Sequence, residues 1–132
     1  MPGAVDYSFS PAIIPRMVVS DTRHERGSQL LKGVLDMCLL SIIREEPSYG
    51  YEMVHKLQYR GLRLVSEGSI YPLLSRLQKS GLVEGYLVQS TEGPARKYYR
   101  ITTAGKTALR EWADEWGAFR DGVEEVLEGG HR

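Results

Sequence analysis

The chain has 132 residues, 42% of them hydrophobic and 26% charged, and its 17 Lys and Arg are balanced by 17 Asp and Glu. That length holds one domain with a modest core, and a formal charge of zero excludes a strong overall field toward nucleic acid or membrane, so any affinity for a polyanion must be local. The single cysteine, Cys38, excludes an intramolecular disulfide framework and suits a reducing compartment.

No apolar run reaches the roughly 18–20 residues that span a bilayer, and Ala12-Ile13-Ile14 is cut short by Pro15 and Arg16, which also spoils a secretory core. The expectation is a cytoplasmic protein that does not engage a membrane. Residues 1–27 carry Pro2, Pro11 and Pro15 with scattered charge and no sustained period, and read as an N-terminal arm without fixed structure. From Ser28, a suitable N-cap, Leu31, Val34, Leu35, Cys38, Leu39 and Ile42 recur at three- and four-residue steps and predict a first helix ending before Pro47.

Tyr49 to Arg60 predicts a second helix with Met53, Val54 and Leu57 inward and Gly61 as its left-handed terminator. Ile70, Leu73, Leu74 and Leu77 mark a third, stopped by Gly81. Its start is placed near Gly68 or Ser69, because Pro72 is tolerated only close to a helix N-terminus. Two alternating segments follow, Leu82–Gln89 and Arg96–Ile101, joined by the turn residues Ser90-Thr91-Glu92-Gly93-Pro94. A last helix runs from Thr103 to about Leu127. The fold class is therefore mainly α with a small β-hairpin (α+β). It divides into the arm 1–27, a winged helix-turn-helix over 28–102, and a C-terminal helix and tail over 103–132.

The third helix presents Ser69, Tyr71, Ser75, Arg76, Gln78 and Lys79 away from its leucines, a donor-rich face of the kind that meets phosphates and base edges; an ordinary solvated face has the same composition. Between Ser66 and Lys106 six basic residues stand against Glu67, Glu84 and Glu92, whereas Thr107–Arg132 holds seven acidic residues against three arginines. A basic middle supplies phosphate neutralisation and the acidic end belongs away from a duplex, with chance asymmetry as the alternative. His24, His55 and His131 stand alone without ligand spacing, Cys38 lies on an apolar stripe, and no phosphate-binding glycine loop or nucleophile elbow occurs. No catalytic residue, cofactor or metal is expected.

Ordered words over roughly Gln29 to Trp116 resemble the PadR-like transcription regulators. They are Leu39-Leu40, Tyr49-Gly50-Tyr51-Glu52, Gly68-Ser69-Ile70-Tyr71-Pro72-Leu73-Leu74 leading to Leu77, Gly81-Leu82-Val83, and Arg96-Lys97-Tyr98-Tyr99 running into Ile101-Thr102 and Gly105. The resemblance implies a homodimeric DNA-binding repressor whose third helix enters the major groove of double-stranded DNA while the wing follows the backbone or minor groove. Carried over by position, the DNA-facing residues are Ser69, Tyr71, Pro72, Arg76 and Lys79 on the helix and Arg96 and Lys97 on the wing. The single C-terminal helix is similar to the family's short subgroup; the arm is longer than the family pattern requires.

In the last helix Leu109, Trp112, Trp116, Phe119, Val123 and Val126 alternate steps of three and four, the seam of a helix packed on other helices. Six helical turns exceed what so small a domain can cover, so the expected partner is in part a second copy of the chain. Trp112 and Trp116 would fill that seam or, as the resemblance adds, stack a flat aromatic effector there. The competing reading is a winged-helix module that binds protein without DNA, since fold alone does not fix function.

Overall fold

The computed structural model describes residues 16–129, with side chains from residue 23 onward. A long helix α1 (Arg16–Glu45) leads into a two-residue strand β1 (Ser48–Tyr49) and helix α2 (Gly50–Tyr59). Helix α3 (Glu67–Lys79), strands β2 (Val83–Val88) and β3 (Arg96–Ile101) and helix α4 (Thr103–Leu127) complete the order. The chain divides into two compact units, residues 1–30 and 31–132, and the fold described here is that of the second.

Helix α1 begins at Arg16 and not at Ser28, so Ser28 is mid-helix and the expected arm is helical over its described part; residues 1–15 lie outside the described residues. Between Pro15 and Pro47 no proline interrupts the backbone, which lets the helix continue through Arg23–Arg26, whose side chains are exposed. Lack of an apolar stripe signals lack of packing, not lack of helicity. The stripe proper buries Leu35, Leu39, Leu40, Ile42 and Ile43, and these meet Met53, Val54 and Leu57 of α2, Ile70, Leu74 and Leu77 of α3, and Val65, Val83, Tyr99 and Leu109 in one core. Cys38 only half enters it, and burial followed by the nearby Asp36 pushes its thiol upward, toward the protonated form.

Helices α2 and α3 end alike. Leu62 N–H donates to Leu57 C=O and Leu82 N–H to Leu77 C=O, both at 2.9 Å, across Gly61 and Gly81. At φ +116° and +77° these two positions take backbone that a Cβ disfavours, as the expected terminators should. The α3 start falls one or two residues earlier than the proline argument placed it, with Ser66 as N-cap. Pro72 is thus the sixth helical residue; its side chain is solvent-exposed, and so is Gly68, four residues earlier, whose carbonyl loses its helical donor to the proline.

The sheet has the order β1-β3-β2 and is antiparallel throughout. The expected two-stranded hairpin therefore gains a third strand, since Ser48 pairs with Tyr99 and Tyr49 with Tyr98. Register fixes two faces. Val83, Gly85 and Leu87 lie opposite Ile101, Tyr99 and Lys97 on one, and Glu84, Tyr86 and Val88 lie opposite Arg100, Tyr98 and Arg96 on the other. Thr102 then closes the wing onto α4, because its Oγ1 accepts from Gly105 N–H at 3.0 Å and donates to Gly81 C=O at 2.7 Å.

Candidate nucleic-acid interface

The buried leucines and isoleucine of α3 fix which of its residues face outward. At 3.6 residues per turn, Tyr71, Pro72, Ser75, Arg76 and Lys79 fall within roughly 140° of arc opposite Ile70, Leu74 and Leu77, and all five are exposed. Ser69 does something else. Half-buried, its hydroxyl accepts from Ser66 N–H at 3.0 Å and donates to Ser66 C=O at 2.8 Å, so it is spent on the helix start.

Tyr71 is where the helix meets the wing. With Tyr49, Gly50, Arg96, Lys97 and Tyr99 it lines a cleft of about 330 Å³ between the start of α2, the first half of α3 and the first residues of β3. Its hydroxyl donates to Glu67 Oε1 at 3.2 Å. Partial burial and then the carboxylate raise its pKa, which keeps it a donor at neutral pH. Its ring lies so close to Gly50 that a Cβ there would stand 2.7 Å from two of its atoms. Arg96 and Lys97 approach the cleft from opposite faces of β3: the Arg96 guanidinium sits over the Tyr49 ring at 4.8 Å and the Lys97 ammonium over the Tyr99 ring at 5.4 Å.

The outer sheet face carries a tyrosine ladder absent from the sequence expectations. Tyr49 and Tyr98 rings are 5.2 Å apart, Tyr98 and Tyr86 6.1 Å, and Tyr49 and Tyr51 6.3 Å, with His55 against Tyr51 at 4.3 Å. Arg100 belongs to this ladder, stacked over Tyr86 at 4.6 Å and paired with Glu84 at 3.0 Å. Tyr49, Gly50 and Tyr99 are thus site residues that residue-type reasoning missed. The one signal for the first two was the Tyr49-Gly50-Tyr51 word, and it could not say what the glycine faces.

Charge is sorted between these elements. Among the described residues ion pairs engage Lys56, Arg60, Arg100 and Arg120, and none engages Arg76, Lys79, Arg96 or Lys97. The candidate face therefore bears four cations without acidic partners. On α4, Leu109 is buried in the core and Trp112, partly buried, packs against it, which is the part of the seam covered within the subunit. Trp116, Phe119, Val123 and Val126 are exposed, and Phe119, Val123 and Val126 with Ala118, Gly122 and Leu127 line an apolar hollow of about 440 Å³. Among the described residues no helix is long and apolar enough to cross a membrane, and no three His, Cys, Asp or Glu side chains converge as metal ligands.

The model of the transcriptional regulator PadR-like family matches residues 39–111, which takes in the end of α1, β1, α2, α3, the whole wing and the start of α4. The chain belongs to the PadR-like family. A solved PadR-like regulator from Bacillus cereus is 51% identical, covering 76% of this chain and 98% of that one with a TM-score of 0.69. A PadR family regulator from Eggerthella lenta is 35% identical over 86% of this chain and 99% of its own, with a TM-score of 0.77. A transcriptional regulator of Mycobacterium tuberculosis is 37% identical over 81 residues, which is 61% of this chain and 71% of that protein. These relatives are transcriptional regulators and not enzymes, and the two solved structures share this chain's overall fold.

Proposed function

We propose that the chain is a cytoplasmic, homodimeric repressor that binds double-stranded DNA in a sequence-specific manner, with α3 in the major groove and Arg96 and Lys97 on the flanking backbone. The observation that carries this reading is the set of four cations, Arg76, Lys79, Arg96 and Lys97, that have no acidic partner among the described residues and lie on the exposed arc of α3 and on the wing. Phosphate neutralisation by such groups dominates DNA affinity. Membership of a transcription-regulator family supports it.

The apolar hollow on α4 supports the dimer, because Phe119 and Val126 are 67% and 77% exposed and no described residue covers them. A two-fold pairing there sets two α3 helices on one side of a duplex, reading half-sites about one helical turn, roughly 34–36 Å, apart. Trp116, at the subunit-proximal end of the exposed strip, is the residue that would stack a flat aromatic effector at the seam, with Trp112 behind it in the core. The deciding experiment measures binding to the chain's own upstream DNA and to random duplex from low to high salt. The proposal requires tighter binding upstream, a protected palindrome on footprinting and affinity falling steeply with salt. Salt-independent or absent binding would favour the protein-interaction module instead.

A further inference from the structure

We infer that Glu67 is a specificity-determining residue that reads a cytosine in each half-site, held for that purpose by Tyr71; this rests on the DNA-binding reading above.

Glu67 is the first residue of α3 and the only acidic one on it. In a helix-turn-helix the N-terminal residues of the recognition helix reach the base edges. A carboxylate there faces phosphates on both sides of the groove and opposes binding to every sequence alike, unless a base edge offers it a donor. Nor is its oxygen left to wander. Tyr71 donates to Oε1 at 3.2 Å, and the Tyr71 ring lies against Gly50, where no Cβ would fit without moving it. One carboxylate oxygen is thereby tethered to a ring braced by α2, and the other keeps its full accepting capacity.

The chemistry of the groove narrows the partner. An ionised carboxylate only accepts. Guanine presents O6 and N7 and thymine O4, all acceptors, so both repel it. Adenine offers its N6 amino group beside the N7 lone pair, which opposes a second carboxylate oxygen. Cytosine offers its N4 amino group with no acceptor alongside in the major groove, and is the base that satisfies Glu67. A purely structural role also exists for an acid in a first helical turn, through the helix dipole. That role changes helix stability and is blind to DNA sequence.

The test selects duplexes from a pool with randomised bases, using the full chain and its Glu67→Gln, Glu67→Ala and Tyr71→Phe variants, with thermal melts to confirm folding. The wild type should enrich C·G at one position per half-site. A carboxamide pairs bidentately with adenine N6 and N7, so Glu67→Gln should move that position toward A·T by roughly tenfold in relative preference. Glu67→Ala should flatten it. Tyr71→Phe should keep cytosine while weakening its preference, because only the tether is lost. If Glu67→Gln and Glu67→Ala enrich the wild-type sequence, with affinity raised equally at all sites, Glu67 is a capping residue and the inference is overturned. If the wild type enriches no sequence at all, the DNA-binding reading fails and this inference falls with it.

Discussion

Gly50→Ala separates the packing of the cleft from its use. Gly50 is the first residue of α2, and its φ lies outside the positive region, so alanine costs nothing in backbone strain. Removing a glycine from a helix gains up to about 1 kcal/mol, less in the first turn. Against this, the new Cβ would stand 2.7 Å from Tyr71 Cε1 and Oη, and the ring must move. The ring is 46% exposed, so it can swing outward; an off-rotamer χ or lost contact costs roughly 0.5–1.5 kcal/mol. The two terms offset to within about 1 kcal/mol, which for a chain of this size keeps Tm within about 5 °C of wild type. Binding has no such compensation. With Tyr71 expelled from the cleft and Glu67 untethered, the affinity for the upstream operator should fall about tenfold, the equivalent of some 1.4 kcal/mol and the low end of what a lost base contact costs. Random duplex should lose less. Melting curves and fluorescence anisotropy on the same preparations decide it. Unchanged operator affinity at unchanged Tm would refute a role for the braced ring in recognition, and a Tm loss above about 10 °C would show Tyr71 to be a packing residue.

Three further perturbations address the wing, the seam and the ion pairs. Arg96→Ala and Lys97→Ala should each lower the slope of log affinity against log salt by about one, on operator and random DNA alike. Arg100→Ala should leave that slope nearly unchanged, because Glu84 already neutralises it; equal slopes for all three would reject the charge sorting. Phe119→Glu should yield a folded monomer by sedimentation at micromolar concentration, whereas Leu109→Ala should destabilise the subunit by roughly 2–5 kcal/mol; a Phe119→Glu dimer would place the seam elsewhere. Arg60 grips Glu45 through two hydrogen bonds of 2.7 Å and holds its carboxyl below the usual range. A depressed carboxylate stabilises the fold above its unfolded pKa and loses that effect as pH falls through the lower folded value, so Glu45→Gln should flatten the acid limb of Tm against pH. An unaltered limb would show that the pair does not contribute.

The sequence was most legible where one local period decides the outcome. Leu35, Leu39 and Ile42, or Ile70, Leu74 and Leu77, repeat at helical steps and were buried as the stripes required. Gly61 and Gly81 announced two helix ends because positive φ has few tenants. What failed to show was whatever depends on long-range register. A two-residue strand such as Ser48–Tyr49 has no period to detect, yet its pairing with Tyr98 and Tyr99 brings Tyr49 and Gly50 beside Arg96 and Lys97. Ser69 matched the outward face by type, and only the position of the helix start reveals that its hydroxyl is used in capping. The helical extension to Arg16 has no stripe to announce it, and over Arg23–Arg26, where the helix is exposed, none is needed.

The same distinction explains why a formally neutral chain can still offer a cationic face. Net charge counts residues, but affinity for a polyanion depends on which cations retain their field. Here Glu45 and Glu46 are placed on Arg60 and Lys56 at the back of α2, and Glu84 on Arg100 along the outer edge of the wing. Such exposed pairs contribute little stability. Their larger effect is subtractive, since they remove positive charge from surfaces that the proposed duplex would not touch. Among the described residues the cations left without an ion pair include Arg76 and Lys79 on α3 and Arg96 and Lys97 on the hairpin, as well as Arg63, Lys106 and Arg110, while Asp114, Glu115, Asp121 and Glu124 lie on α4. On the DNA-binding reading proposed above, a duplex would be drawn to the unpaired cations of α3 and the wing before any base is read, because their field acts across about a Debye length, roughly 8–10 Å at physiological salt. On that reading orientation and base reading would be tasks of different residues: the unpaired cations would perform the first on any sequence, and Tyr71 with Glu67 the second only after it.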